Sequence, residues 1–404
     1  MKPYYFAKRK DREGALPSVK TTTRLALPLV PAAAIVLIAL ALSSPISAQT
    51  ITTFDAPGAG TGPGQGTFAF NIGPSGTIIG RTRDANDVRH GFIRSQDGSF
   101  TIFDAPGAGT APGQGTWAYA INPSGAITGF FFDSVTAAHG YVRSNQGVIT
   151  VFDAPGAGTG PGQCTFVVSP LIINPNGAIA GYYTDSAFVN HGFLRDQNGA
   201  FTTFDAPGAG TGADQGTFSY AINRSGEITG YYYDETFASH GFLLDKNGVI
   251  TTYDVPGSGT GFLQGTYGGG FTPNGTIMGN YFDADDLSHG FLLDKNGVFT
   301  TFDAPDAGSV PGSFEGTYPF GINRKGAITG WYVDGADVNH GFVREKDGSI
   351  VEFDVPGAGT GPGQGPLVFG IAPNGAVTGF FLDPNNVVHG FVREGEGLAL
   401  GLPH

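Results

Sequence analysis

The stretch GTWAYAINPSGAITGFFFDSVTAAHGYVRSNQGVITVFDAP, Gly115 to Pro155, decides the fold. It reads as four short strands: 115–122, 126–133, 139–144 and 148–155. The breaks between the first and second strands and between the third and fourth carry Gly with Ser or Asn, residues suited to tight hairpins. Apolar residues at a helical period are absent. The second strand, GFFFD, is apolar at successive positions, so it is buried on both faces; a strand exposed on one face would alternate.

Working outward, the same pattern recurs along the chain. An Asp after an aromatic residue stands at Asp55, Asp104, Asp153, Asp205, Asp254, Asp303 and Asp354. A His before Gly stands at His90, His139, His191, His240, His289, His340 and His389. Four antiparallel strands in about 49 residues is the size of a propeller blade. The expected fold is therefore all-β, a seven-bladed β-propeller of four-stranded antiparallel blades, with a β-solenoid as the alternative. The repeats begin with a lone fourth strand, Ile51 to Pro57, and end after a third strand at Glu394. The N-terminal strand is expected to complete the last blade, leaving no open sheet edge. Gly397 to Pro403, GLALGLP, resembles a worn fourth strand and competes for that place.

The first 48 residues differ in kind. Lys8, Arg9, Lys10, Arg12, Lys20 and Arg24 precede an apolar run, Leu25 to Leu42, and then Ser43-Ser-Pro-Ile-Ser-Ala48. That is the plan of a secretory signal cut after Ala48, or of an uncleaved anchor, although Pro28 and Pro31 make the run marginal as a span. The expected domains are thus an export segment, 1–48, and a repeat domain, 49–404, secreted or periplasmic in a bacterial envelope. Beyond residue 48 the chain keeps 14 basic against 32 acidic residues. Nucleic acid is excluded as a partner by that balance, and membrane contact is limited to the N-terminal anchor. Cys164 is the only cysteine, so no intrachain disulfide forms.

In an up-and-down meander the hairpin turns share one rim. The inter-blade connector, as in DAPGAGTGPGQG (Asp55 to Gly66), shares the other rim with the loop between second and third strands. The Gly-rich connector lacks the following helix and Lys of phosphate loops, so it reads as a connector. Seven pairs bracket the second loop, always six apart: Asp84 and His90, Asp133 and His139, Asp185 and His191, Asp234 and His240, Asp283 and His289, Asp334 and His340, Asp383 and His389. A bond needed in every blade is structural, whereas catalysis needs one asymmetric site. The Asp of each connector phrase reads as a turn-capping carboxylate. No cofactor or metal is expected; a ring of carboxylates attracts Ca²⁺ only in principle, as Asp283 to Asp286 lacks EF-hand spacing. Function is sought where repetition breaks: Arg81 and Arg83 in the first unit, the longer third unit around Gln163 to Ile172, Phe262 and Leu263 in the fifth, and Phe314 and Glu315 in the sixth. These six rim residues are the candidate ligand contacts. Trp117 and Trp331 take positions held elsewhere by Phe or Tyr and read as core.

The segment AINPSGAITGFFFDSVTAAHGYVRS (Ala120 to Ser144) resembles the HAF-type repeats of bacterial extracellular proteins, with pattern I-N-x-x-G-x-(I/V)-x-G-(Y/F), a loop, then His-Ala-Phe. Here the triplet is His-Gly-Phe or His-Gly-Tyr, and Gly73, Thr272 and Ala372 depart from the Asn position. The resemblance spans all seven units and implies an exported repeat protein, without an activity or site residues. There is no G-x-S-x-G, no His-Glu-x-x-His and no Cys–His arrangement. The functional expectation is a non-enzymatic binding or scaffold module whose partner is an unknown protein or polysaccharide. The alternatives are a carbohydrate-binding lectin and a propeller polysaccharide lyase or glycosidase.

Overall fold

The computed structural model describes residues 50–272 and 274–395. The expected export segment and the competing strand Gly397 to Pro403 lie outside these residues. Every regular element among the described residues is a β-strand, and 28 strands join in one sheet. In the second unit the strands are Gly115–Ile121, Ile127–Phe132, Ala138–Arg143 and Ile149–Phe152, paired antiparallel in chain order. The other units repeat this arrangement of four strands.

Local chemistry explains the unit. The first strand bulges at Ala118/Ala120. Each third-strand Gly lies under the aromatic ring of the fourth strand: a Cβ on Gly140 would stand 2.4 Å from Phe152, and one on Gly241 2.2 Å from Tyr253. That close approach requires Gly at this position of the third strand. Second strands are buried on both faces, as in Ile228–Tyr233 and Ile179–Thr184. An Arg at the end of the third strand covers the fourth-strand Phe of the preceding unit in five places, for example Arg195 over Phe152 at 4.9 Å and Arg344 over Phe302 at 4.7 Å.

Neighbouring units are tied at three levels. Thr116, Thr165, Thr217, Thr266 and Thr317 each accept, through Oγ1, the backbone N–H that follows the preceding unit's connector Asp, and Thr67 does so from Ala56. Asn122 donates to Asn174 O, Asn174 to Asn223 O, and Asn323 to Ala372 O, so the Asn of the repeat links turn to turn. Aromatic residues pack unit against unit, as Phe130 on Phe166 (5.2 Å), Tyr182 on Phe218 (4.9 Å) and Phe380 on Phe68 (5.0 Å).

The N-terminal strand Ile51–Phe54 pairs antiparallel with the last strand, Val388–Arg393, with Thr53 opposite Phe391. His389 Nδ1 lies 3.0 Å from Asp55, and Val388 N donates to Gln65 O at 2.8 Å. The first and last units are therefore joined as the others are.

The longer third unit reaches across the middle. Asn71 of the first unit donates to Pro170 O (2.8 Å), and Ile222 N of the fourth to Leu171 O (3.0 Å). The Leu171 side chain packs with Met278 and Ile322 of the fifth and sixth units. Room for it comes from Gly270, whose Cβ would stand 2.7 Å from Leu171 Cδ1. The extra residues are an internal strut, so this break in the repeat does not form a rim site.

Candidate functional site

Each repeated His stands between two carboxylates. Its Nε2 lies 3.3–3.8 Å from the Asp six residues before it. Its Nδ1 lies closer, 2.7–3.0 Å, to the connector Asp on the adjoining fourth strand. In six units the imidazole also stacks on the second-strand aromatic, as Tyr332 on His340 at 4.9 Å. The Asp six residues before the His caps the loop between them. Asp133 Oδ1 accepts from Val135 N and Ala137 N, and Asp84, Asp185, Asp234, Asp283, Asp334 and Asp383 repeat this. The connector Asp binds imidazole, so the turn-capping role expected of it belongs to its partner. Hydrogen bonds donated to the connector carboxylates raise the pKa of His90, His240 and His289 above the ordinary value. Among the described residues no group of three or more His, Cys, Asp or Glu side chains is placed to hold a metal ion.

The connector is held by a glutamine that sequence reasoning passed over. Gln114 Oε1 accepts from Ala111 N, and its Nε2 donates to Ser134 O in the second loop. Gln65, Gln163, Gln215, Gln264 and Gln364 make the equivalent bonds. Connector and second loop thus lie together on one rim. In the sixth unit Glu315 takes this place. It is 4% exposed and accepts from Val310 N at 3.0 Å, so it belongs to the inside of its connector and not to an exposed rim.

The remaining departures do reach the rim. Phe262 is 48% exposed, and its ring lies 5.3 Å from Phe237. Leu263 and Phe314 stand where other units have Gly64, Gly113, Gly162, Asp214 and Gly363, and both have left-handed backbones, φ 62° and 60°. Phe188 and Phe237 hold φ 66° and 65° in the second loops. Each such residue costs roughly 1–2 kcal/mol of backbone strain. Phe314 packs on Phe282 at 5.9 Å and Phe237 on Tyr233 at 6.1 Å, whereas Phe262 and Phe188 stay exposed on this rim.

Arg81, Arg83 and Arg89 gather in the first unit; Arg89 carried no repeat signature and was missed. Arg81 stands where five other units have an aromatic residue and the fifth has Asn280, and Arg89 stands where they have Ala138, Asn190, Ser239, Ser288, Asn339 or Val388. The Arg81 guanidinium lies 3.7 Å over Phe68, and Arg89 lies 4.8 Å over Trp117. Arg83 donates to Gly64 O (3.0 Å) and pairs with Asp87 at 2.9 Å. Nε and Nη1 of both Arg81 and Arg89 are inaccessible and have no hydrogen-bond partner. Burial, and then the neighbouring Arg89, lowers Arg81 to about 9; burial, and then Arg83, lowers Arg89 to about 10. Trp117 is 7% exposed and stacked on Phe130, and the half-buried Trp331 stacks on Tyr318 and packs against Phe320 and Phe369. On the turn rim a shallow groove of about 530 Å³ runs beside Pro74, Pro123, Arg143 and Asn145.

No family model matches the chain, and no curated protein does. Among solved structures the chain is similar to AofleA from Arthrobotrys oligospora, at 15% identity and TM-score 0.42 over 69% of this chain and 82% of that one. It is also similar to TolB from Acinetobacter baumannii, at 10% and 0.41 over 76% of each. A third is a mutant of the Aleuria aurantia lectin in complex with α-methyl-L-fucoside, at 11% and 0.36 over 70% and 96%.

Proposed function

We propose that this chain is an exported, non-enzymatic binding module built on a closed seven-bladed propeller, which recognises its ligand on the connector rim. The pairing of Ile51–Phe54 with Val388–Arg393 supports closure. The observation that carries the functional reading is the contrast on this rim. In the seven Asp–His–Asp groups the imidazole is held between both carboxylates, and the Asp six residues before it caps the second loop. The departures leave strained apolar side chains and unpartnered guanidinium N–H groups instead. These are recognition chemistries, and a rigid frame presents them at little ordering cost.

The exposed Phe262, set against the half-buried Phe237, favours a polysaccharide as the partner, since aromatic faces stack on the apolar faces of sugar rings. The bacterial envelope suits such a role, and the reading needs no cofactor. The test is calorimetric titration of the purified chain with plant and bacterial polysaccharide fragments, followed by a reducing-end assay on the recovered sugar. Saturable binding with the sugar unchanged is expected. New reducing ends would overturn the non-enzymatic reading in favour of a glycosidase or lyase.

A further inference from the structure

We propose that Arg81 and Arg89, backed by Arg83, form one oxyanion site that takes a single carboxylate or sulfate carried on an otherwise uncharged saccharide. This deepens the binding-module reading and rests on it.

The argument begins with cost. A buried guanidinium normally pairs with a carboxylate or fills its N–H groups with carbonyls. Arg344 and Arg195 at least donate to a neighbouring carbonyl. Arg81 and Arg89 have orphaned Nε and Nη1 groups, and among the described residues Asp87 is the one carboxylate in an ion pair with any of the three arginines. Both residues remain partly exposed, so a small group entering from the rim meets the guanidinium edges, and a side-chain shift opens the covered Nε and Nη1 groups to it. The repeat also shows what packing would have chosen: Phe130 and Ala138 fill the same positions in the next unit. An oxyanion supplies what is lacking, because its oxygens accept the fork of N–H donors a guanidinium presents.

The surroundings narrow the ligand. Among the described residues these are the only three Lys or Arg on the connector rim; the other eleven lie at or near the hairpin turns. The same rim carries the second-loop and connector carboxylates of every unit. A polyanion would be repelled there. A ligand with one negative group on an otherwise uncharged body fits, since it meets the arginines without adding charge beside the acidic rim.

The test uses glucuronic acid, glucose 6-sulfate and glucose as probes, with thermal shift and calorimetry. The variant is R81F/R89A, which installs the second unit's own residues and so retains a packed fold. Saturable binding of either acidic probe, weakened more than about tenfold in R81F/R89A, is expected. Preference between the two acids identifies carboxylate or sulfate as the natural group. Equal binding of glucose, no binding of either acid, or undiminished binding by the variant would overturn the site. Neutral polysaccharide that still binds R81F/R89A would leave the binding-module reading standing while this one fails.

Discussion

Replacing Gly390 by Ala tests how the first and last units are joined. A Cβ there would lie 2.4, 2.7 and 3.0 Å from Phe54 Cε2, Cζ and Cδ2. Carbon atoms in contact prefer about 3.5–4.0 Å, so the ring must retreat by roughly 1 Å. Two responses are open. The ring can stay and strain its surroundings, at about 1–3 kcal/mol. It can also leave its place beside Phe92 and Arg94, forfeiting up to about 1.5–3 kcal/mol of burial. Either way G390A should cost about 2 kcal/mol, read as a lowered urea midpoint at unchanged slope. The diagnostic is the double variant. In an F54A background the clash has no partner, and Gly390 is not at positive φ. There G390A should be neutral, or stabilising by a few tenths of a kcal/mol through the unfolded chain. Equal costs of G390A in both backgrounds would refute the seating of the N-terminal strand on the last unit.

Four further outcomes are expected. G270V should destabilise by more than about 1 kcal/mol through its clash with Leu171, and L171A should relieve much of that cost, measured by a double-mutant cycle in urea. R81F alone should raise the thermal midpoint in ligand-free buffer, because it removes a buried unpaired charge and restores the aromatic of other units. L263G, which installs the glycine of four other connectors, should leave stability equal or up to about 1 kcal/mol higher while weakening polysaccharide binding in the same titration. Stability should also depend on pH. The folded-state pKa of His90, His240 and His289 lies above the ordinary 6.5, so their contribution is complete below 6.5 and is lost as pH rises through the raised value. The urea midpoint should therefore fall between pH 6 and 8; a rise over that window would contradict the His–Asp geometry.

The four-stranded unit was legible because turn chemistry and continuous apolar second strands are local signals. Ile127–Phe132 and Ala138–Arg143 fall within a residue of the strands read from the sequence. The His partner was less visible. The six-residue spacing to Asp drew attention, yet the spacing of 14 from His90 to Asp104 is as constant through six units, and it crosses the third-to-fourth hairpin to the nearer carboxylate. The strut at Pro170 and Leu171 was unreadable, because its partners Asn71, Ile222 and Gly270 sit in three other units. Arg81 and Arg83 stood out by breaking a pattern. Arg89 did not, since its position tolerates Ala, Asn, Ser and Val, and only the fold brings it beside Trp117. Glu315 looked asymmetric in sequence but occupies the place of the connector glutamine.

The most direct measurement is the number of ligands bound per chain, by calorimetry or native mass spectrometry, with any saccharide that the panel finds. If the repeated groups are spent on structure and recognition lies in the departures, saturation comes near one per chain. Saturation near seven, with equal affinities, would place binding in the repeated Asp–His–Asp groups and contradict the account.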